Sequence, residues 1–370
     1  MSSPTIGFYV HYHGLGHKHR TEAILQHLRF PATVITSRLD AQRWSGESLC
    51  QVIGIDCDID DVHTEGLQHA ADVAALHYAP LWCDTITRRV AQYTQWLHES
   101  KPDLMVVDVS AEISMLTRLA SIPQIVMRQH GDRSDAAHEN AYAAAHSLLA
   151  PFPETMEDDQ TPQWVRRKTV YLDGFCRNTT STRPESQVAN VTDDVERPRI
   201  VVMFGRGGRD DVHEDLRQAA KRVPQYDWIV LGKEPDGHAG TPENLRFHGW
   251  VTDPTQHVQT AEIVVTAAGH NSVMEIGHAR KRFVAIAEDR PFDEQIQKAS
   301  VLDREGLAVG LTSWPDPQQW PAIVERAKAL DPQKWDTVYR NDGARQAAEH
   351  LQAVATWSHT IRKRNCRGNR

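Results

Sequence analysis

Cysteine is scarce in this chain: there are five, Cys50, Cys57, Cys83, Cys176 and Cys366, and no C-x-x-C pair. An odd number at that spacing argues against a disulfide framework or a cysteine zinc site, and for a reducing, cytoplasmic compartment. Long apolar runs are lacking too. No stretch reaches the roughly 18 apolar residues of a membrane-crossing helix, so no integral membrane segment is expected. The N-terminus, Met1-Ser-Ser-Pro4, runs directly into the strand-like Thr5–Val10 with no basic stretch and no apolar core, so no secretory leader is expected. An excess of positive charge is also missing. The 41 Lys and Arg against 49 Asp and Glu leave −8, which gives no overall attraction to nucleic acid or anionic lipid.

What remains is the composition of an ordinary globular protein, 40% hydrophobic and 24% charged over 370 residues, long enough for two or three domains. Short β-branched runs alternate with helix-like stretches. In the first half the expected strands are Ile6–Val10, Thr33–Thr36, Gln51–Ile55, Leu104–Val107 and Gln124–Met127. The expected helices between them are Arg20–Arg29, a long stretch His69–Glu99, and Glu112–Ala120. Pro102 and Pro123 each precede a strand, where a helix must stop. Residues 176–198 are polar and read as a linker. The alternation then restarts, with strands at Ile200–Phe204, Trp228–Leu231, Leu245–Phe247, Ile263–Thr266, Phe283–Ile286 and Ala308–Gly310. Its helices are Val212–Val223, Asn271–Arg280, Glu294–Glu305 and Pro317–Ala329.

The pattern is α/β, with two similar halves of parallel sheet: an N-terminal domain 1–175, a linker 176–198, a C-terminal domain 199–343, and a last helix with a basic tail, 344–370. The tail from Arg362 onward carries five basic residues and no acid, and reads as a solvated disordered end. Ligands of such sheets bind beyond the carboxyl ends of the strands, which puts a site in the cleft between the halves.

Four turns at strand ends carry the chemistry. The first, His11-Tyr-His13-Gly14-Leu-Gly16-His17-Lys-His19-Arg20, follows a strand and opens a helix. A helix N-terminus disfavours imidazolium, so His17 can stay neutral and act as a base. Four histidines in this turn also admit a metal site or simple loop filling, although no acidic ligand accompanies them. The second is Asp108, at the end of a buried strand, placed either to hold a histidine as in a triad or to cap the next helix. The third is Gly205-Arg206-Gly207-Gly208, whose amides and arginine suit a diphosphate. The fourth is Gly269-His270-Asn271-Ser272-Val-Met-Glu275, followed by Glu294-Gln295. Its turn amides suit a phosphate, and its carboxylates suit hydroxyl groups. A capping role is the alternative for Glu275.

The second half resembles the C-terminal domain of GT-B glycosyltransferases, most of all the family 28 group that includes the lipid II-forming N-acetylglucosaminyltransferase. The likeness rests on Gly269-His-Asn271-Ser272-Val-Met-Glu275, on Glu294-Gln295 and on Asn341-Asp-Gly-Ala344, and it covers roughly 200–350. It implies two Rossmann-like domains facing each other across a cleft that holds a nucleotide diphospho-sugar, with UDP as the expected carrier. Glu275 would hold the ribose, Glu294 and Gln295 the sugar, and the backbone at Trp250-Val251 the base. In the first half, Gly14-Leu-Gly16-His17-Lys-His-Arg20 is similar both to the transferases' catalytic turn and to that of a hydrolase of a UDP-linked diacetamido-sugar. Many family 1 transferases have a phosphate-contacting histidine two residues before the motif's first glycine, and this chain has Ala267 there.

The resulting expectation is an inverting, metal-independent transferase with His17 as base and Asp108 as its partner. It needs no cofactor beyond the nucleotide-sugar donor. The acceptor is a small molecule or a lipid-linked hydroxyl, received by the half that carries His13, His77, Tyr78, Trp82, Arg128, His130, Asp132 and Arg133. A nucleotide-sugar hydrolase, a nucleotide-sugar 2-epimerase and a non-catalytic binding module are the alternatives. The chain's length favours the transferase over the smaller hydrolase.

Overall fold

In the computed structural model, which describes residues 3–12, 15–38, 44–176, 197–204, 212–235, 237 and 240–368, the β-branched runs form two separate parallel sheets. The first half runs β1 (Ile6–Tyr9), α1 (Gly16–Leu25), β2 (Ala32–Thr36), β3 (Leu49–Gly54), α2 (Thr64–Leu67), α3 (Asp84–Ser100), β4 (Leu104–Asp108), α4 (Ala111–Leu119), β5 (Gln124–Met127), α5 (Ala136–Ala144), β6 (Ser147–Ala150), α6 (Gln163–Lys168) and β7 (Thr169–Tyr171). The second runs β8 (Arg199–Met203), α7 (His213–Arg222), β9 (Asp227–Leu231), β10 (Leu245–Phe247), α8 (Thr255–Thr260), β11 (Ile263–Ala267), α9 (His270–His278), β12 (Arg282–Ile286), α10 (Glu294–Arg304), β13 (Val309–Leu311) and α11 (Trp320–Lys328). A last helix, α12 (Gly343–Gly368), closes the chain.

The strand orders are β3-β2-β1-β4-β5-β6-β7 and β10-β9-β8-β11-β12-β13. In each sheet the chain starts at the centre, builds outward, then crosses back to the other side of its first strand. That reversal leaves a crevice at the carboxyl ends of β1 and β4 in one sheet and of β8 and β11 in the other. The pairings Tyr9↔Val107 and Met203↔Thr266 bring those ends level.

The central strands of both sheets are buried on two faces and are nearly continuous apolar runs, whereas the edge strands β3, β7 and β10 are partly exposed. Ile6 and Phe8 point into one cluster and Tyr9 into the other. The second sheet is flanked likewise, with Val201 on one side and Ile200 and Val202 on the other. The helix α12 returns to the first half: Ala344, Ala347, Ala348, Leu351, Val354 and Ala355 belong to the same cluster as Ile6, Phe8 and Leu25.

Two expectations are corrected. Of His69–Glu99 only α3 is a long helix, because Pro80 cannot donate a helical hydrogen bond and Trp82 takes φ 54° just before α3 begins. The basic end is helical to Gly368 rather than a free tail. Arg362 donates to the Lys101 carbonyl and pairs with buried Asp103 at 3.2 Å, which also holds His359 and the Thr5 amide.

Candidate active site

The turn after β1 opens directly into α1, whose first residues are Gly16 and His17. His17 stands one residue inside the helix, 15% exposed at its side chain, and its Nδ1 lies 3.0 Å from Asp108 Oδ2 and 3.1 Å from Arg20 Nη2; the ionised carboxylate can only accept, so Nδ1–H is assigned to it. Asp108 is the last residue of β4, the strand paired to β1, so the two halves of this contact come from opposite sides of the crevice. With the proton on Nδ1, His17 Nε2 carries a lone pair.

The Gly14–Arg20 motif does not by itself assign a role to Arg20. One turn after His17, Arg20 lies buried and sends Nη2 to both Asp108 oxygens, at 2.6 and 2.8 Å. Burial alone would raise the Asp108 carboxyl. Arg20 first, then His17, overcome that and hold it well below the ordinary carboxylate range. Asp108 is therefore an ionised anchor for the imidazole. The next residue, Val109, is held at φ 58°. A β-branched residue there is strained, a cost structures tolerate at sites that must aim a side chain.

Facing this turn is the N-terminus of α9. Gly269 is its N-cap without a side-chain cap, so the first-turn amides at His270, Asn271 and Ser272 are open to an anion. Asn271 Nδ2 lies 3.7 Å from where a Cβ on Gly16 would sit, which measures how closely the two helix starts oppose each other. His270 Nε2 is buried without a hydrogen-bond partner, and burial with nearby Lys298 lowers its pKa, keeping the ring neutral. Glu275 stands half-buried on α9, one turn further on. Val251 follows β10 and packs on the cluster that contains Ala268 and Val273 of the α9 turn.

Glu294 and Gln295 open α10. Gln295 is buried; its Oε1 accepts from the Glu288 amide at 3.0 Å, and its Nε2 lies 3.9 Å from a Cβ position at Gly269. The loop before α10 docks on the first half. The Asp132 amide donates to the Phe292 carbonyl at 2.7 Å, and Gly131, at φ 115°, meets that carbonyl where a side chain would clash. The Phe292 ring fits a socket of His77, His138 and Arg133, with Arg133 4.7 Å from the ring centre. This socket fixes the loop that leads into Glu294 and Gln295, and it had no sequence signal beyond the composition of the 128–146 segment.

Two acceptor-side expectations change. Arg128 is 2% exposed and locked in a two-pronged pair with Glu157 at 2.5 and 2.6 Å, with Thr161 and Thr169 filling its remaining donors. It braces the first sheet and is not offered to a ligand. His130 is fully buried, its ring tilted against Phe152 with centroids 4.0 Å apart, and donates Nε2–H to the Met156 carbonyl at 2.8 Å. Its Nδ1 has no partner. His13, Arg206 and Gly207 lie outside the described residues.

Among the described residues one group could hold a metal: His77, Asp135 and His138, with ligand atoms within 4.8 Å of each other. Its protonation opposes that use. Arg133 Nη1 donates to His138 Nε2 at 2.9 Å, so the His138 proton sits on Nδ1 and is donated to Asp135 at 2.5 Å. That nitrogen has no lone pair for a cation. Asp135 is already committed as the N-cap of α5.

No family model matches the chain. It is similar to curated relatives described as uncharacterized glycosyltransferases. One from Methanosarcina mazei is 31% identical over 115 residues, 30% of each chain, and one from Methanosarcina acetivorans is 24% identical over 173 residues, 46% of this chain and 43% of the relative. The matches span less than half the length of these relatives. Among solved structures, the glycotransferase of kitacinnamycin superposes with a TM-score of 0.69 at 14% identity, covering 96% of this chain and 100% of that one. MurG of Acinetobacter baumannii gives 0.63 at 13%, covering 95% and 99%. Arabidopsis thaliana UGT89C1, solved with UDP, gives 0.63 at 15%, covering 95% and 100%. These neighbours are GT-B glycosyltransferases, and the two facing parallel sheets of this chain are the GT-B fold.

Proposed function

We propose that this GT-B chain is an inverting, metal-independent glycosyltransferase that moves a sugar from a nucleotide diphosphate to an acceptor hydroxyl. The observation that carries the reading is the His17–Asp108–Arg20 constellation opposite the uncapped N-terminus of α9. In this reading residues 1–175 form the acceptor lobe and 199–343 the donor lobe, joined by the linker 176–198. The donor is UDP-linked, and UGT89C1, solved with UDP, supports that choice. No cofactor is required.

His17 Nε2 takes the proton of the acceptor hydroxyl while Nδ1–H remains on Asp108. The freed oxygen attacks the anomeric carbon from the face opposite the diphosphate, and the carbon–oxygen bond to the diphosphate breaks. The α9 amides stabilise the departing charge, and Glu275 holds the ribose. Asp108 supports the imidazolium without taking its proton. In a spinosyn rhamnosyltransferase solved with thymidine diphosphate the same fold binds a nucleoside diphosphate, which supports a nucleotide in this cleft.

The test is mass spectrometry of sugar products from a nucleotide-sugar panel, with and without acceptor extracts. A new glycoside of inverted anomeric configuration is expected only with acceptor. Free sugar without acceptor would make the chain a hydrolase. An isomerised sugar still on its nucleotide would make it an epimerase, and binding without turnover would make it a binding module.

A further inference from the structure

The chain enters α10 through a strained pair of residues. Helices ordinarily begin from an extended N-cap. Here Phe292 and Asp293, the two residues before Glu294, are both left-handed, at φ 63° and 53°. Asp293 makes no side-chain cap in return. A residue with a Cβ is penalised in that region, and two in succession persist only where their surroundings hold them.

What holds them is the first half. The Asp132 amide donates to the Phe292 carbonyl at 2.7 Å. Arg133 lies over the Phe292 ring at 4.7 Å, and the His138 ring stands perpendicular to it with centroids 4.7 Å apart. His77 follows at 5.0 Å. Both histidines are fixed in turn by Asp135, at 2.9 Å from His77 Nε2 and 2.5 Å from His138 Nδ1. Gly131 closes the contact. A Cβ there would lie 2.4 Å from the Phe292 carbonyl oxygen, 3.1 Å from Glu294 Cα and 3.2 Å from Glu294 N. The backbone of the first half is therefore packed on the backbone of Glu294 itself, with room only for glycine. The far end of α10 is bridged separately, by Arg304 to the Glu157 carbonyl at 2.8 Å and to Asp159 at 3.2 Å.

We propose that Phe292 and Gly131 are positioning residues for the donor sugar, and that through them the acceptor lobe takes part in selecting that sugar. The proposal rests on the glycosyltransferase reading above, with Glu294 as a contact of the sugar. Without the dock, Phe292 and Asp293 relax to negative φ, and the first turn of α10 swings with them. Hydrogen bonds to sugar hydroxyls tolerate little of that, because they weaken steeply with angle. The nucleotide is unaffected, since its proposed contacts lie on α9 and at Val251 rather than on this loop.

The experiment is calorimetry without acceptor, on wild type, Phe292→Ala and Gly131→Ala. The probes are UDP, dTDP and GDP with their glucose conjugates, UDP-N-acetylglucosamine and GDP-mannose. For each pair the quantity read is the affinity of the conjugate relative to its free nucleotide. In at least one pair both variants are expected to lower that ratio about tenfold, the size of one hydrogen bond to a charged group, with free nucleotide within about twofold of wild type. Phe292→Tyr keeps the ring and retains the ratio. Arg304→Ala cuts the other bridge and leaves the ratio unchanged. If Gly131→Ala does not fold, Phe292→Ala carries the test, its side chain being 36% exposed on a loop. An unchanged ratio in every pair, or no conjugate bound by wild type, overturns the proposal. It does so even where the variants unfold at lower urea, since the dock would then be structural alone. An equal loss in Arg304→Ala also overturns it, because general contact between the halves would be the cause. So does equal weakening of free nucleotides and conjugates. Failure of all three free nucleotides to bind wild type sinks the glycosyltransferase reading itself, so the two failures are distinguishable.

Discussion

At the scale of single residues the site is a division of labour between two sides of a cleft. His17 belongs to the first half, whereas the donor contacts proposed here lie after residue 200. His17→Ala is therefore expected to lower kcat by about 10²–10⁴-fold while KM for the donor barely moves, because a base acts on the transition state and adds little to ground-state binding. Steady-state kinetics with calorimetry on the same variant checks this. An inactive His13→Ala beside an active His17→Ala would mean that the turn is read in the wrong register. Asp108→Asn differs from the mild effect that a simple orienting role suggests. Arg20 is buried against that carboxylate, and removing one partner of a buried pair costs about 3–5 kcal/mol by stranding the other. The variant should be poorly active and also unfold at visibly lower urea. A midpoint equal to wild type would show that Arg20 does not depend on Asp108.

At the scale of elements, the uncapped start of α9 and the half-buried Glu275 one turn later should act together on the donor. Glu275→Ala is expected to weaken nucleoside diphosphate binding by roughly 1.5–3 kcal/mol, the worth of hydrogen bonds to a charged group. Calorimetry on the folded variant reads it directly, and unchanged affinity removes Glu275 from the site. The start of α5 carries a different expectation. Because Arg133 fixes the His138 proton toward Asp135, activity should survive EDTA. Loss of turnover on chelation with recovery on zinc would reassign these histidines. Elements were legible where burial on both faces leaves an unbroken apolar run, as at Val264–Val265 and Phe283–Ile286 in the middle of the second sheet. Gln124–Met127 and the edge strand Leu245–Phe247 also have the bounds their sequence suggests. The strands β6 and β7 have no clear sequence signal because runs of four and three residues carry too little periodicity. The motifs gave His17, Asp108 and the α9 turn. They could not show that Arg128 turns inward to Glu157, since that depends on which way a side chain leaves its element.

The whole molecule should be sensitive to mild acid because three cleft-side histidines are held neutral. His130 and His270 are lowered by burial with the Lys298 charge nearby, and His138 is lowered to about 4 by burial, with Arg133 adding to it. An unfolded histidine titrates near 6.5, so below that pH the unfolded chain binds protons that the native one refuses. Stability is therefore fully present above about 6.5 and falls as pH drops toward 4, at a slope set by the difference in bound protons. Asp108 and Glu157 work in the opposite corner, being depressed carboxylates whose contribution is lost only at lower pH. Between pH 7.5 and 5 the histidines dominate, and the fall should amount to about 2 kcal/mol for each ring that stays neutral. Over the same range the net charge changes sign, from −8 near pH 7 through zero near pH 6.2 to positive at pH 5, so self-repulsion passes through a minimum and returns. Urea unfolding at the two pH values measures the fall. His138→Gln, which keeps an N–H for Asp135 but cannot titrate, should show a smaller fall than wild type. A wild-type stability that is flat or rises from pH 7.5 to 5 would mean these rings accept protons in the folded state, and the neutral tautomers on which the site's hydrogen bonds depend would have to be redrawn.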